Sequence, residues 1–430
     1  MKKTSRAGVS DTRAGLQPAG LYSSAGLFKK GFQDFHPLDA SPYLLFDASK
    51  SMVGTLENPT LDLDPSKQET LDVITATRSG VATYTDADGI IQQAAPDTVR
   101  VDYVDGVPMI LVEPSATNLL PYSEDFSNSA WTKFGAGTGV APTVTPNYGT
   151  SPDGTVSASR VQFNKGSGTT IGDQSVIFDS AQTSSGATTA KSVYLKSNTT
   201  EAYEMVIYET TDASGTNVKK ITVTPDWQRF DVYGAISSIT TGITIGLREI
   251  SVSGLSNTAD VLVWGAQLEA GSVATSYIPT SGSTVTRQAD NLVISGSDFT
   301  DFFNSGGDGT FYAEFTTRTI TGEQVYVLAG HSNTQRYMYS NTDGALLKTF
   351  DGYSDDFGGD IQTTLNRASI SYNSNSKKCS VNGASDVTHV GTGDLQDSTR
   401  LSIGQSWSDQ NHLNGHIKRL IYWPLHSDSL

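Results

Sequence analysis

Lys191-Ser-Val-Tyr-Leu-Lys196, Tyr203-Glu-Met-Val-Ile-Tyr208, Lys220-Ile-Thr-Val-Thr224 and Gln228-Arg-Phe-Asp-Val-Tyr233 follow one another in one stretch of the chain. Each run is short, rich in β-branched and aromatic residues, and tends to alternate polar with apolar side chains. Period-two alternation places one set of side chains on each face of a strand. Gly, Asn, Ser and Asp separate the runs and supply turns. The stretch reads as consecutive strands of an antiparallel sandwich with jelly-roll spacing.

The same style continues outward. Ile243-Thr-Ile-Gly-Leu247 and Ala259-Asp-Val-Leu-Val-Trp264 extend the set, and Thr310-Phe-Tyr-Ala-Glu-Phe-Thr316, Arg400-Leu-Ser-Ile-Gly404 and Gly415-His-Ile-Lys-Arg-Leu-Ile-Tyr422 repeat it. Toward the N-terminus, Arg100-Val-Asp-Tyr-Val104 and Pro108-Met-Ile-Leu-Val112 flank Asp105-Gly106, a strong hairpin signal. Residues 73–84 break at Ser79-Gly80, which reads as a hairpin or bend, and 86–89 form a turn.

Composition agrees. Of 430 residues, 37% are hydrophobic and 17% charged, with 41 glycines. Both fractions are low for a helical protein. The fold class is therefore all-β: tandem antiparallel β-sandwich (jelly-roll) domains after a short extended N-terminal arm. The expected divisions are an arm over 1–40, a small β region over 41–117, a jelly roll over 118–290 and a second sandwich over 291–430.

The net charge of −16 argues against general nucleic-acid binding, which needs a basic footprint. Residues 1–36 are the exception. Lys2, Lys3, Arg6, Arg13, Lys29 and Lys30 against Asp11 and Asp34 make them net +4. Such an arm suits docking on an acidic partner surface or a solvated terminus. The one cysteine, Cys379, builds neither a disulfide nor a thiolate metal site within the chain. No run reaches the ~18 apolar residues of a membrane span, and the basic N-terminus lacks the apolar core of a secretory signal.

No catalytic residue is assigned. HExxH, GxSxG and phosphate-loop motifs are missing from the sequence. His412 and His416 are four apart, but in a loop-to-strand stretch and not on a helix face. The best ligand-contact candidate is the polar loop around Trp407, with Gln405, Asp409, Asn411 and His412 as its hydrogen-bonding groups. An aromatic platform beside planar polar groups suits a sugar. Asp351, Asp355, Asp356 and Asp360 are candidates for a structural calcium, although without EF-hand spacing. No other cofactor is expected. Trp131, Trp264 and Tyr277 read as structural residues at strand edges, where a ring packs and its polar tip finds a partner.

Asn118-Leu-Leu-Pro-Tyr-Ser-Glu-Asp-Phe-Ser-Asn-Ser-Ala-Trp-Thr-Lys133 resembles the opening of a domain common in tailed-phage fibre and spike proteins, similar to a carbohydrate-binding-module jelly roll. Trp264-Gly-Ala-Gln-Leu-Glu-Ala-Gly-Ser-Val-Ala-Thr-Ser-Tyr-Ile-Pro-Thr280 and Thr286-Arg-Gln-Ala-Asp290 resemble its end. Residues 76–92 and Arg100-Val-Asp-Tyr103 resemble the usual lead-in of the same proteins. The C-terminal third is similar to concanavalin-A-like (laminin-G-like) lectin folds. The resemblance implies a virion surface protein, a tail fibre, head fibre or spike, assembled in the host cytoplasm and contacting host cell-surface glycan as a homotrimer. Residues 1–40 would dock on other virion proteins, with no nucleic-acid binding and no membrane insertion. The alternatives are a capsid decoration or tail adaptor without a ligand, and a polysaccharide depolymerase.

Overall fold

The computed structural model describes residues 59–182, 186–210, 217–236, 239–319, 326–330, 335–340, 346–351, 354–390 and 395–427. The arm expected over 1–40 lies outside them. Among the described residues nearly all regular structure is antiparallel strand, arranged as two sandwiches.

The jelly roll is made from one contiguous stretch. Its first sheet runs in the order Gln228–Ala235, Thr188–Ser197, Thr258–Ala270, Ala158–Asn164, Val140–Gly149. Its second runs Val218–Val223, Tyr203–Glu209, Thr240–Arg248, Gln174–Gln182, Thr132–Ala136. The alternation that defines the strands also fills the core. Val161, Phe163, Val193, Val261 and Val263 from the first sheet meet Ile177, Met205, Ile207 and Ile245 from the second. Trp131 is buried against Phe126, with ring centroids 4.6 Å apart, and its indole N–H donates to the Tyr122 carbonyl at 2.8 Å. The long central strand Thr258–Ala270 carries a bulge at Gly265, where φ is +62° and an added Cβ would lie 3.1 Å from the Tyr194 ring. Only glycine fits both demands.

The second sandwich is built from two separate pieces of chain. Its eight-stranded sheet runs Val387–Val390, Ser376–Val381, Asn366–Tyr372, Gly309–Thr317, Gly415–Trp423, Val107–Val112, Val101–Val104, with Leu61–Leu63 also paired to Gly415–Trp423. Its seven-stranded sheet begins Thr75–Thr77, Asn291–Ser295, Arg400–Ile403, Tyr326–Ala329 and continues through Arg336–Ser340, Leu346–Phe350 and Ser354–Asp360. Leu61, Leu63, Ile74, Ile110 and Val112 share one core with Phe311, Phe315, Ile370, Leu401, Ile403 and Ile417.

The segment 41–117, expected as a small β region, contributes most of its described strands to this sandwich. Among the described residues of that segment, only the hairpin Ala82–Thr85 with Ile91–Ala94 forms a sheet of its own. Leu61–Leu63 and Val107–Val112 pair with Gly415–Trp423 and Thr75–Thr77 pairs with Asn291–Ser295, covering edges that would otherwise be left with unpaired backbone groups, while Val101–Val104 extends Val107–Val112 and Ala116–Asn118 pairs with Val285–Arg287. The break at Ser79-Gly80 is a bend between sheets, because Thr75–Thr77 and Ala82–Thr85 go to different partners. Asp105 and Gly106 both have positive φ, +51° and +77°, and join Val101–Val104 to Val107–Val112 as the hairpin signal requires.

The jelly roll is thus inserted into the second sandwich. Ala116–Asn118 and Val285–Arg287 pair antiparallel, so the chain enters and leaves it side by side.

Candidate functional site

At the junction of the two sandwiches lies a set of buried charges drawn from the sequence motifs. Asp290 accepts from Arg78 Nη1 at 2.8 Å and from Arg100 Nε at 3.2 Å, and its second oxygen also accepts from Arg100 Nη2. Arg100 Nη2 donates to Glu113 Oε2 at 2.8 Å. Glu113 accepts further bonds from the Ser276 N–H and hydroxyl, both at 2.7 Å, and from Arg318 Nη1 at 2.6 Å. Arg287 lies 3.5 Å from Glu113 and donates to the Pro114 carbonyl at 2.8 Å. Arg78, Arg100, Glu113, Arg287 and Asp290 are all buried. Burial alone would raise the Glu113 carboxyl, but the charges of Arg287, Arg100 and Arg318 outweigh it and hold the group well below the usual range. Five of the ionised groups belong to segments on either side of the jelly roll, and Ser276 to its exit.

Over this joint opens a cleft of about 810 Å³. Both sandwiches line it. One wall is the edge strand Gln228–Ala235. Its alternation sends Phe230 and Val232 into the jelly-roll core and leaves Arg229, Asp231 and Tyr233 on the cleft side. Tyr233 is 59% exposed, so its ring is free to form a platform. Arg229 is held by the Thr275 carbonyl at 2.7 Å and the Ser192 hydroxyl at 2.9 Å, with its guanidinium over the Tyr194 ring. The opposite wall comes from the second sandwich: the 104–109 hairpin, Thr316, Thr317 and Arg318, Thr363 and Thr364, and His416. His416 Nε2 lies 2.8 Å from Asp102 Oδ2. Burial pushes Asp102 up, but the His416 hydrogen bond and charge and the Thr85 N–H bring it below its ordinary value. The volume falls in the ~300–1,000 Å³ range of small-ligand sites. An exposed ring flanked by fixed guanidinium, carboxylate and hydroxyl groups can stack on a sugar face and bond its hydroxyls.

The loop predicted from sequence is arranged differently. Gln405 and His412 are buried. Gln405 donates to Asp409 Oδ1 at 3.3 Å, and His412 Nε2 lies 3.1 Å from Asn291 Oδ1. Burial pushes the His412 imidazole down to about 4. His412 ties the loop to the sandwich at Asn291, while the Gln405 bond lies within the loop. Asp409 and Asn411 have positive φ, +57° and +53°, and with Trp407 they lie exposed at its tip, where Trp407 is 36% exposed. The tip presents one ring, and none of its residues lines the cleft at the joint.

The four aspartates proposed for calcium do not converge. The Lys377 ammonium lies 2.8 Å from both Asp351 and Asp355, filling with a fixed positive charge the place a cation would take. Asp356 pairs with Lys348 at 3.2 Å, and Asp360 stands opposite Leu346 at the far end of its strand. Among the described residues no group of three or more His, Cys, Asp or Glu side chains is placed to hold a metal ion.

Sequence reasoning missed the cleft because its walls come from distant segments. The one local signal was the polar face of Gln228-Arg-Phe-Asp-Val-Tyr233, where a tyrosine sits on the outward register of an alternating strand.

No protein-family model matches the chain, and no curated protein matches it in sequence. Solved structures give distant likenesses. The N-terminal tandem CBM22 domain of Xyn10C from Paenibacillus barcinonensis is 12% identical, covering 73% of this chain and 99% of that one, with a TM-score of 0.26. Domain 4 of an extracellular arabinanase from Geobacillus stearothermophilus, solved with arabinotriose, is 11% identical over 36% of this chain and 76% of that one, with a TM-score of 0.26. Domains LG4-5 of the mouse laminin alpha1 chain are 9% identical over 58% and 87%, with a TM-score of 0.22. At such scores these likenesses carry no functional argument. The all-β sandwich architecture stands on the strand pairings themselves.

Proposed function

We propose that this chain is a non-enzymatic surface protein of a tailed-phage particle, a fibre or spike component, that contacts host surface polysaccharide. The observation that carries glycan contact is the cleft at the joint, where exposed Tyr233 stands between Arg229, Asp231 and the threonine-lined wall of the other sandwich. The phage setting is supported by the resemblance of the 118–133, 264–280 and 286–290 segments. In this reading residues 1–40 dock on the particle and a homotrimer repeats the cleft. A single sugar site is weak, and many copies per particle supply avidity.

A glycan array probed with the full chain tests the reading. Binding to a bacterial polysaccharide fragment is expected, weakened at least about tenfold by Tyr233→Ala. An array without binding, together with normal adsorption of particles carrying Tyr233→Ala, would leave a capsid or tail component without a ligand. Shortening of the polysaccharide on incubation would mark a depolymerase instead.

A further inference from the structure

A second polar cleft lies on the jelly roll, outside the joint, and is organised around Glu124. Two cavities of about 500 and 320 Å³ share just two lining residues, Glu124 and Pro279. The first is lined by Tyr122, Asp125, Ser127, Asn147, Ser157 and Ser281 among others. The second is closed by Thr83, Ile91, Gln92 and Gln93 of the lead-in hairpin, facing Asp153, Trp264 and Tyr277. The hairpin is fixed there: the Ile91 N–H donates to the Pro152 carbonyl at 2.9 Å, and the Thr83 hydroxyl donates to the Tyr277 carbonyl at 2.5 Å.

The floor of this cleft is preorganised. The buried Tyr277 hydroxyl donates to Glu124 Oε1 at 2.7 Å and lies 2.7 Å from the Ser123 hydroxyl. The buried Trp264 indole donates to the Ser157 hydroxyl at 2.9 Å, which lies 2.9 Å from Ser151 Oγ. The rings therefore build the floor, while the acids, amides and hydroxyls face the space. Burial, and then the charge of Asp153, raise the Glu124 carboxyl above its ordinary value.

The charge of the lining decides the ligand class. Glu124, Asp125 and Asp153 are present, whereas no Lys, Arg or His is among the residues lining either cavity. An anionic ligand would meet three carboxylates without a cation to receive it. The joint cleft, by contrast, carries Arg229, Arg318 and His416. Metal binding does not fit either, since no group of three candidate ligands forms among the described residues. Many hydroxyl and amide partners, with Pro146 and Pro279 as apolar walls, match a neutral ligand dense in hydroxyls. We propose that the Glu124 cleft is a separate binding site for a neutral oligosaccharide, with Glu124 accepting ligand hydroxyls at the point where the two cavities meet.

Calorimetric titration of the full chain tests this, with linear hexamers of neutral hexoses and with uronic-acid oligomers of the same length as probes. The neutral hexamer is expected to bind. Glu124→Gln should weaken it at least about tenfold, because a charged acceptor is lost. Ser281→Tyr, an exposed rim substitution, should block it without touching the floor, which covers the case of a destabilised Glu124 variant. In the Tyr233→Ala background, which removes the platform of the joint cleft, the neutral hexamer should still bind and should still be weakened by adding Glu124→Gln. Failure of every neutral hexamer to bind overturns the proposal, as does binding indifferent to both Glu124→Gln and Ser281→Tyr. Neutral binding lost only in Tyr233→Ala would overturn it too, while leaving the joint cleft standing as a glycan site.

Discussion

The two sandwiches solve the same packing problem with different stretches of chain. The jelly roll takes its ten main strands from the continuous stretch 132–270, and the pairing of Ala116–Asn118 with Val285–Arg287 closes its neck. The other sandwich is split, with Leu61–Leu63, Thr75–Thr77, Val101–Val104 and Val107–Val112 on one side of the insertion and the rest on the other. A contiguous domain can rely on its own core. A split one must also bring together segments nearly 200 residues apart, and in this chain the Arg78, Arg100, Glu113, Asp290 and Arg318 cluster sits where they meet. The joint that holds the halves together reaches the cleft between the sandwiches through Arg318, which pairs with Glu113 and lines the cavity.

Cutting the joint should have the largest effect. Asp290→Ala strands Arg78 and Arg100 in a buried site and is expected to cost about 3–5 kcal/mol. Urea denaturation should show the loss, with the jelly roll unfolding separately from the split sandwich. An unchanged single transition would break the comparison. Next comes acid. His412 titrates at about 4 in the folded chain against 6.5 unfolded, with Asp290, Arg287 and Asp409 as its charged neighbours. A base with a depressed folded pKa contributes stability that is present above 6.5 and lost as pH falls toward 4. The loss is on the order of 3 kcal/mol and belongs to the split sandwich. His412→Gln should flatten that part of the pH profile, read by thermal melts between pH 7 and pH 4.

Smaller effects separate the two candidate glycan contacts. Tyr233→Ala should lower glycan affinity at least about tenfold while changing stability by no more than about 0.5 kcal/mol. Trp407→Ala should change affinity by less than about twofold, since Trp407 lies on a loop tip outside the joint cleft. The reverse ranking would return the binding face to the 405–412 loop.

The strands were legible because alternation, β-branching and Asp-Gly turns are local signals. Lys191–Lys196, Tyr203–Tyr208 and Gln228–Tyr233 all fall within observed strands. Partner choice was not legible. Nothing local tells Val101–Val104 that its sheet is completed by a strand beginning at Gly415, because pairing across an insertion depends on which edges remain open. The site followed the same rule. Trp407 stood out as a lone aromatic among polar residues, whereas the cleft needs Tyr233, Thr316 and Thr363 brought together from three segments. The motif residues Arg100, Arg287 and Asp290 were visible as patterns, but their meaning as one buried charge cluster appears only when the chain closes on itself.

Hydrogen exchange of the full chain, with and without a saturating polysaccharide fragment selected on the array, tests the central claim most directly. The account predicts slowed exchange on both walls of the joint cleft at once, in Gln228–Ala235 and in Val107–Val112 with the 363–365 loop. Slowing confined to residues 406–411, or absent from either wall, would contradict it.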